Sequence, residues 1–294
     1  MIISASRRTD VPAFFGEWFV RRLEDGYVVV RNPMNHSQIR RVDLTPQQVE
    51  CIVFWTKDPE PFLAHLPRLD AMGYTYYFQY TLNPYPADIE GGLPALSRRT
   101  ASFKRLAEHV GPKRVVWRYD PIIFAPNITL EWHQEHYGCL AEQLKGYSER
   151  CVISFVDFYQ KTLRNTKHLG LRPPVAEERD SLCRFIGEAG RASGFTVSAC
   201  CEDASLAEYG ISRASCVDAG LIAEITGRSC PVPRDRNQRP GCGCAQSIDV
   251  GVYNTCSHLC AYCYANTSSK AVRQNILRHD PHSPVLIGSI AEQK

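Results

Sequence analysis

The segment CIVFWTKD, residues 51–58, contains the pattern that decides the fold. Its first five residues are apolar and include β-branched and aromatic side chains, which favour a buried strand over a helix of this length. The polar residues Thr56, Lys57 and Asp58 follow at once. A strand that is continuously apolar is typical of a parallel sheet covered on both faces.

Seven other segments share this composition, and segments with apolar residues at helical spacing lie between them. The other strand candidates are MIIS (1–4), YVVVR (27–31), YTYYFQY (74–80), RVVWRY (114–119), CVISFV (151–156), FTVSAC (195–200) and SIDVGVY (247–253). The helix candidates are residues 11–26, 58–73, 95–111, 129–146 and 175–194. This alternation predicts an α/β fold, specifically a β/α barrel, complete or partial.

Most strand candidates end in polar or sulfur-bearing residues. RVVWRY ends near Arg118 and Asp120, FTVSAC ends in Cys200, and SIDVGVY leads to Asn254 and Cys256. In β/α barrels the functional face lies at the carboxyl ends of the strands. We therefore expect these residues to share one rim.

The length and net charge of the chain limit its domain organisation and its class of binding partner. The 294 residues, 44% of them hydrophobic, are enough for one barrel-sized domain, which we assign to residues 1–294. The net charge of +3 gives no strong sign of a dedicated nucleic-acid binder. No segment resembles a signal peptide or the ~20 apolar residues that span a bilayer. We expect a cytoplasmic protein with no membrane partner.

The chain has 13 cysteines, an odd number for a disulfide framework. In a reducing compartment, thiols more often bind metal, react or fill core space. Four cysteines are scattered among apolar residues and are predicted to be core residues. The other nine fall within a cysteine-rich region at 200–265.

The last of these cysteines stand in TCSHLCAYCYAN, residues 255–266, which contains Cys256, Cys260 and Cys263. A structural zinc site usually needs four ligands, and this loop offers three thiolates. Three thiolates can instead hold three irons of a four-iron four-sulfur (4Fe-4S) cluster and leave the fourth iron open. An open iron is a catalytic site.

The spacing C-x3-C-x-Tyr-C after a strand resembles the signature of the radical S-adenosylmethionine (SAM) superfamily. The resemblance implies that the open iron binds SAM and that one electron cleaves it to a 5′-deoxyadenosyl radical, which abstracts hydrogen from a substrate. It also implies a reductant such as flavodoxin or ferredoxin, and it assigns Tyr262 and Asn254 to the cofactor pocket. Family members usually carry this loop near the start of the barrel. Here it comes last, so we expect a circularly permuted strand order.

Two further resemblances extend along the chain. IVFWTKDP and VVWRYDPII are similar to strand motifs of spore photoproduct lyase, which implies that Lys57 binds the SAM carboxylate and that Arg118 and Asp120 line the SAM or substrate pocket. A rim lysine and a structural ion pair are the ordinary alternatives. The blocks SASRRTD, VFWTKDP, WRYDP and NQRPGCGC also resemble a bacterial family known only as a domain of unknown function.

A second site is predicted from the remaining cysteines. Cys242 and Cys244 form a C-x-C loop before the last strand, and with Cys200 and Cys216 they complete a four-thiolate set. Such a set suits an auxiliary 4Fe-4S cluster or zinc. Cys201 and Cys230 remain as alternatives for Cys200 and Cys216, and free thiols are the third possibility.

The segment SASRRTD adds Arg7 and Arg8 at the proposed rim, where one arginine could hold a substrate carboxylate or phosphate. Thr9 or Asp10 is expected to cap the following helix. The alternative to a radical SAM enzyme is a structural zinc or iron-sulfur protein that interacts with nucleic acid. Within the preferred hypothesis, the substrate is a small molecule, a peptide or a nucleic acid.

Overall fold

The computed structural model describes residues 1–239 and 241–290, so Pro240 and the last four residues of the predicted domain lie outside it. The strands are β1 (Ile2–Ala5), β2 (Tyr27–Asn32), β3 (Asn35–Asp43), β4 (Cys51–Thr56), β5 (Tyr76–Thr81), β6 (Val115–Ile122), β7 (Arg150–Phe155), β8 (Thr196–Ala199), β9 (Ser212–Arg213) and β10 (Ile248–Asp249).

The α-helices alternate with most of these strands. They are α1 (Val11–Phe14), α2 (Gly16–Glu24), α3 (Leu66–Ala71), α4 (Leu96–Val110), α5 (Leu130–Leu144), α6 (Gln160–Thr166), α7 (Ala176–Ala192), α8 (Ala219–Thr226) and α9 (Ser269–Ile276). Short 3-10 turns span Glu60–His65, Pro112–Arg114, Lys167–Leu169 and Ala204–Tyr209.

Eight strands form one parallel sheet, in the order β10-β1-β4-β5-β6-β7-β8-β9. The predicted α/β class and parallel pairing are therefore confirmed. β10, the last strand in the chain, pairs with β1, the first, with Ile248 opposite Ile3. Within the described residues the edge strands β9 and β10 do not pair with each other, so hydrogen bonds do not close the sheet into a ring.

The prediction that YVVVR lies in the main sheet is wrong. It forms β2, which pairs with β3 as a separate antiparallel hairpin. A short turn joins β2 to β3, whereas a parallel neighbour needs a longer crossover. The eighth strand of the main sheet is instead β9. The sequence did not predict it, because its two residues are both exposed and polar.

The two faces of the sheet bury different side chains, because successive residues of a strand point to opposite faces. Ile52 and Phe54 of β4 join the large aromatic core beneath the helices, which includes Trp18 of α2. Val53 joins a smaller cluster with Tyr77 and several cysteines. The chain between β9 and β10 covers this second face.

Two backbone hydrogen bonds fix this covering segment, one to β8 and one within the segment itself. The Ala214 N–H donates to the Ala199 carbonyl, and the Ala245 N–H donates to the Val217 carbonyl at 2.9 Å. The segment also packs on the middle of the sheet, because the Cys216 carbonyl accepts hydrogen bonds from Tyr77 and Gln79 of β5. Among the described residues, no helix has the length and apolar character required to cross a bilayer.

Candidate functional site

The carboxyl ends of the parallel strands gather the predicted functional residues at one edge of the sheet. Lys57 follows β4, and Arg118 and Asp120 lie in β6. Residues 250–266, which follow β10 and carry Cys256, Cys260 and Cys263, are called the triad loop below. Because β10 pairs with β1, this loop lies beside the chain that leaves β1.

Asn254 holds the triad loop closed. Its backbone is in the left-handed region, with φ of 59°, and Leu259 has φ of 53°; asparagine tolerates this conformation better than most residues. The Asn254 N–H donates to the Ala265 carbonyl at 3.0 Å, and its side-chain oxygen accepts the Thr267 N–H. The side chain predicted for the cofactor pocket is thus engaged with the residue that follows the loop.

The triad thiols differ in exposure, since Cys260 is buried and Cys256 and Cys263 are half-buried. Burial raises the pKa of Cys256 well above its ordinary value. Burial also raises the pKa of Cys260 to about 12, although the charge of Lys57 opposes this shift. Cys256 and Cys260 therefore carry protons at neutral pH, and a metal that binds them must displace those protons.

Backbone contacts fix the triad loop against the segment after β5. The Gly92 N–H donates to the His258 carbonyl at 3.0 Å, and the Ala261 N–H donates to the Ile89 carbonyl at 2.9 Å. A Cβ at position 92 would stand 2.5 Å from the His258 oxygen. Only glycine permits this close approach of the two chain segments.

Asp10 connects the triad loop to β4. One of its carboxylate oxygens lies 2.8 Å from His258 Nε2 and accepts the Lys57 N–H at 2.7 Å. The other caps α1 by accepting the Ala13 N–H at 2.9 Å, as predicted for this residue. His258 is buried and directed at this carboxylate. One side chain therefore positions the loop, the helix and the end of β4.

A buried ion pair stands next to Cys260. The Lys57 ammonium lies 2.8 Å from Glu90 Oε1, and Arg99 approaches the other Glu90 oxygen at 3.5 Å. The Tyr262 hydroxyl also donates to Glu90. Burial acts to lower the pKa of Lys57, but the charge and hydrogen bond of Glu90 outweigh it and raise the pKa above its usual value. Lys57 is thus held as a cation.

Glu90 was missed by the sequence analysis. Its side chain is fully buried, yet it stands in the loop ADIEGG, where a glutamate is ordinarily exposed. The adjacent Gly91 and Gly92 were the one local sign that this loop packs closely against another chain segment.

Arg118, which is buried, forms an ion pair with Asp120, which is half-buried. The Arg118 Nε and one terminal nitrogen approach Asp120 Oδ2 at 3.0 and 2.6 Å. The other terminal nitrogen lies 3.1 Å from Gln79 Oε1 and 2.9 Å from Cys216 Sγ. The guanidinium also lies 5.3 Å from the centre of the Trp55 ring. This pair borders the cysteines of the covering segment.

The second cysteine group consists of Cys200, Cys201, Cys216, Cys242 and Cys244. The sulfur of Cys200 lies 3.4 Å from that of Cys216 and 3.9 Å from that of Cys201. Cys216 also contacts Cys244, and Cys201 contacts Cys242. All four predicted ligands are brought together, with Cys201 beside them.

Two observations refine this group. Contacts with Cys200 and Cys244, together with the charge of Arg118, hold the pKa of Cys216 well below its usual range. Cys230, considered as an alternative ligand, instead interacts with Cys51, at the amino end of β4. The geometry thus separates Cys230 from the second cysteine group.

Arg7 lies between the two sets of cysteines. Its guanidinium stacks on Trp55 at 4.8 Å, and one of its terminal nitrogens is buried without a hydrogen-bond partner among the described residues. Burial acts to lower the pKa of Arg7, and Cys244, Asp249, Cys216 and Tyr264 raise it above the usual value. The site therefore carries strong positive charge beside both sets of thiols.

Among residues 1–239 and 241–290, no three His, Cys, Asp or Glu side chains are arranged to surround a single metal ion. The thiolates of a four-iron cluster each bind a different iron. The sulfurs that hold such a cluster therefore need not converge on one point, as the ligands of a single zinc ion do.

The chain belongs to a family described as a domain of unknown function (DUF1848), whose model matches residues 2–265. The match covers the whole parallel sheet and all three cysteines of the triad loop. A comparison with curated proteins found no match. The family resemblance expected from the sequence is confirmed at this level.

Proposed function

We propose that the chain is a radical SAM enzyme in which Cys256, Cys260 and Cys263 hold a 4Fe-4S cluster that binds SAM. The position of the triad loop carries this proposal. The loop follows a strand at the carboxyl edge of a parallel sheet, and its Cys260 lies next to the buried Lys57–Glu90 pair.

The strand order supports a permuted, partial radical SAM barrel. β10 stands beside β1 although it comes last in the chain. From β10 to β9 the sheet then runs in the order of a barrel whose first strand carries the cluster loop. Permutation of this kind requires only that the two ends of the fold be neighbours.

The donor set suits iron in a cluster. The triad loop offers three sulfur ligands, and thiolates favour iron-sulfur clusters and zinc over harder metals. His258, the other ligand type in the loop, is already engaged with Asp10 at 2.8 Å. Three ligands therefore remain, which is the number that leaves one iron of a four-iron cluster free.

When bound and reduced, such a cluster supplies the electron that cleaves SAM to methionine and a 5′-deoxyadenosyl radical, which abstracts hydrogen from the substrate. Lys57 has three N–H donors, of which Glu90 uses one, so the others are available for the SAM carboxylate. Tyr262 fixes Glu90 in place, and Asn254 keeps the loop closed. Buried packing around Cys260 excludes water.

The second cysteine group is proposed to hold an auxiliary 4Fe-4S cluster through Cys200, Cys216, Cys242 and Cys244. It would relay electrons or anchor a substrate, while Arg118 and Asp120 border it. A small reductant such as flavodoxin or ferredoxin would supply the electron. We propose the cytoplasm as the compartment, because a reducing environment preserves free thiols.

The test is anaerobic reconstitution with iron and sulfide, followed by SAM and dithionite. We expect 5′-deoxyadenosine by mass spectrometry and about eight irons per chain, or about four if the triad alone binds a cluster. The Cys260→Ala variant should yield no 5′-deoxyadenosine. The matched control is Cys139→Ala, because Cys139 is exposed on α5, outside both sets of cysteines.

Two results would count against the proposal. One is zinc in place of iron after anaerobic purification, together with no 5′-deoxyadenosine. The other is the same yield of 5′-deoxyadenosine from Cys260→Ala as from Cys139→Ala. The first would favour a structural metal protein, and the second would show that Cys260 does not hold the cluster that cleaves SAM.

A further inference from the structure

A basic cleft lies between the β2–β3 hairpin and the chain that leaves β1. Its volume is about 290 Å³, and three arginines line it, namely Arg8, Arg31 and Arg40. Asp249 is the one carboxylate among its described lining residues. Three guanidinium groups against one carboxylate leave an excess of positive charge.

The carboxylate of Asp249 already accepts hydrogen bonds from residues at the end of β1. It accepts hydrogen bonds from the Ser4 and Ser6 hydroxyls at 3.0 and 2.7 Å, and from the Arg7 N–H at 2.8 Å. Arg8 stays 4.0 Å away from it. Asp249 therefore supports the exit of β1 and neutralises the cleft only in part.

The arginines of the cleft retain donors for a ligand. Arg31 gives one terminal N–H to the Ser289 carbonyl, while its Nε is buried with no partner among the described residues. Arg8 lies over the Tyr253 ring at 5.3 Å, which fixes its orientation. A guanidinium has five N–H donors, so Arg31 keeps terminal N–H groups beyond the one that Ser289 uses.

We propose that this cleft binds the phosphate group of a small phosphomonoester. Planar guanidinium groups match the oxygens of phosphate, and several together suit a doubly charged anion. The volume suits a small ligand. Since Tyr253 belongs to the triad loop, the rest of the ligand would lie beside that loop. The inference goes beyond the proposed function, because phosphate binding here needs no cluster.

The experiment is a calorimetric titration of adenosine monophosphate and of inorganic phosphate into the full chain at low ionic strength. The variant Arg40→Gln removes a cleft arginine that is exposed and therefore tolerant of change. Arg41→Gln is the matched control, because Arg41 is the next residue of β3 and stacks on Tyr27 at 4.1 Å instead of lining the cleft.

We expect saturable binding of both probes, about tenfold weaker in Arg40→Gln and changed by less than about twofold in Arg41→Gln. Equal losses in the two variants would overturn the proposal, since they would indicate nonspecific attraction. Binding of a single-stranded oligonucleotide without binding of either small probe would overturn it in favour of an extended nucleic-acid surface.

A further arm separates the cleft from the cluster. Cys260→Ala should bind adenosine monophosphate as tightly as the unmodified chain, whether or not it cleaves SAM. Loss of binding in Cys260→Ala would overturn the cleft as the phosphate site and would move the ligand to the triad loop.

Discussion

The triad loop and the second cysteine group both collect thiols, but the chain builds them in opposite ways. The triad comes from one loop of residues 250–266, braced from outside by Asp10 and Gly92. The second group comes from separate segments that meet only in the folded chain, where Cys200 and Cys216 stand 3.4 Å apart.

The nearby charges differ as well. A lysine held by Glu90 stands next to Cys260, whereas Arg118 donates directly to Cys216 at 2.9 Å. A loop fixes the spacing of its own ligands, while a group assembled from distant segments depends on every element that carries one. Mutations should therefore disturb the two regions independently.

The largest expected difference is between Cys260→Ala and Cys244→Ala. Loss of a triad thiol should reduce 5′-deoxyadenosine to background, because the open iron is lost with the cluster. Cys244→Ala should keep about four irons per chain and lose no more than about 10–100-fold in activity. Iron analysis and mass spectrometry measure both. Equal behaviour of the two variants would remove the distinction between the regions.

Next in size is Glu90→Gln, which leaves Lys57 and Arg99 buried without their carboxylate. Removing one partner of a buried ion pair costs about 3–5 kcal/mol, so urea unfolding should show a loss of that order. Glu135→Gln is the control, because Glu135 is exposed on α5, and it should change stability by less than about 0.5 kcal/mol. A stable Glu90→Gln variant would contradict the ion-pair account.

A smaller effect is expected from His258→Gln, which weakens the bond between the triad loop and Asp10. A hydrogen bond to a charged group contributes about 1.5–3 kcal/mol. In the Cys244→Ala background, a chelator should therefore remove iron faster from His258→Gln than from the exposed-site control His168→Gln. Identical rates would show that Asp10 does not position the loop.

The smallest expected effect is the pH dependence of stability that comes from Cys151, a core cysteine outside both sets of clustered cysteines. Burial raises the pKa of Cys151 to about 12, so the folded chain keeps this proton where the unfolded chain has lost it. The contribution of Cys151 to the free energy of unfolding is therefore fully present below the unfolded pKa, near 9. It falls as the pH rises toward the folded pKa of about 12.

Between pH 8 and pH 10, Cys151 should account for a loss of about 1 kcal/mol. Urea unfolding of the unmodified chain and of Cys151→Ala at both pH values measures this part, which the variant should lack. An equal fall in both proteins would refute the assignment of the pH dependence to Cys151.

The sequence predicted best where the signal is local. Continuous apolar runs identified seven of the eight strand candidates as members of the parallel sheet, because burial on both faces leaves that composition in each strand. The prediction failed for YVVVR, because its composition suits parallel and antiparallel pairing equally. The chain that follows this strand turns back at once into β3. The two residues of β9 are too few and too exposed to carry a pattern.

The sequence by itself determined seven strands of the parallel sheet, five helical segments between them and the spacing of Cys256, Cys260 and Cys263, since each depends on neighbouring residues. Only the tertiary structure decided the pairing of β10 with β1, the burial of Glu90 beside Lys57, and the meeting of Cys200, Cys216 and Cys244. These contacts join residues far apart in the chain, and their energies depend on burial and charge that exist only after folding.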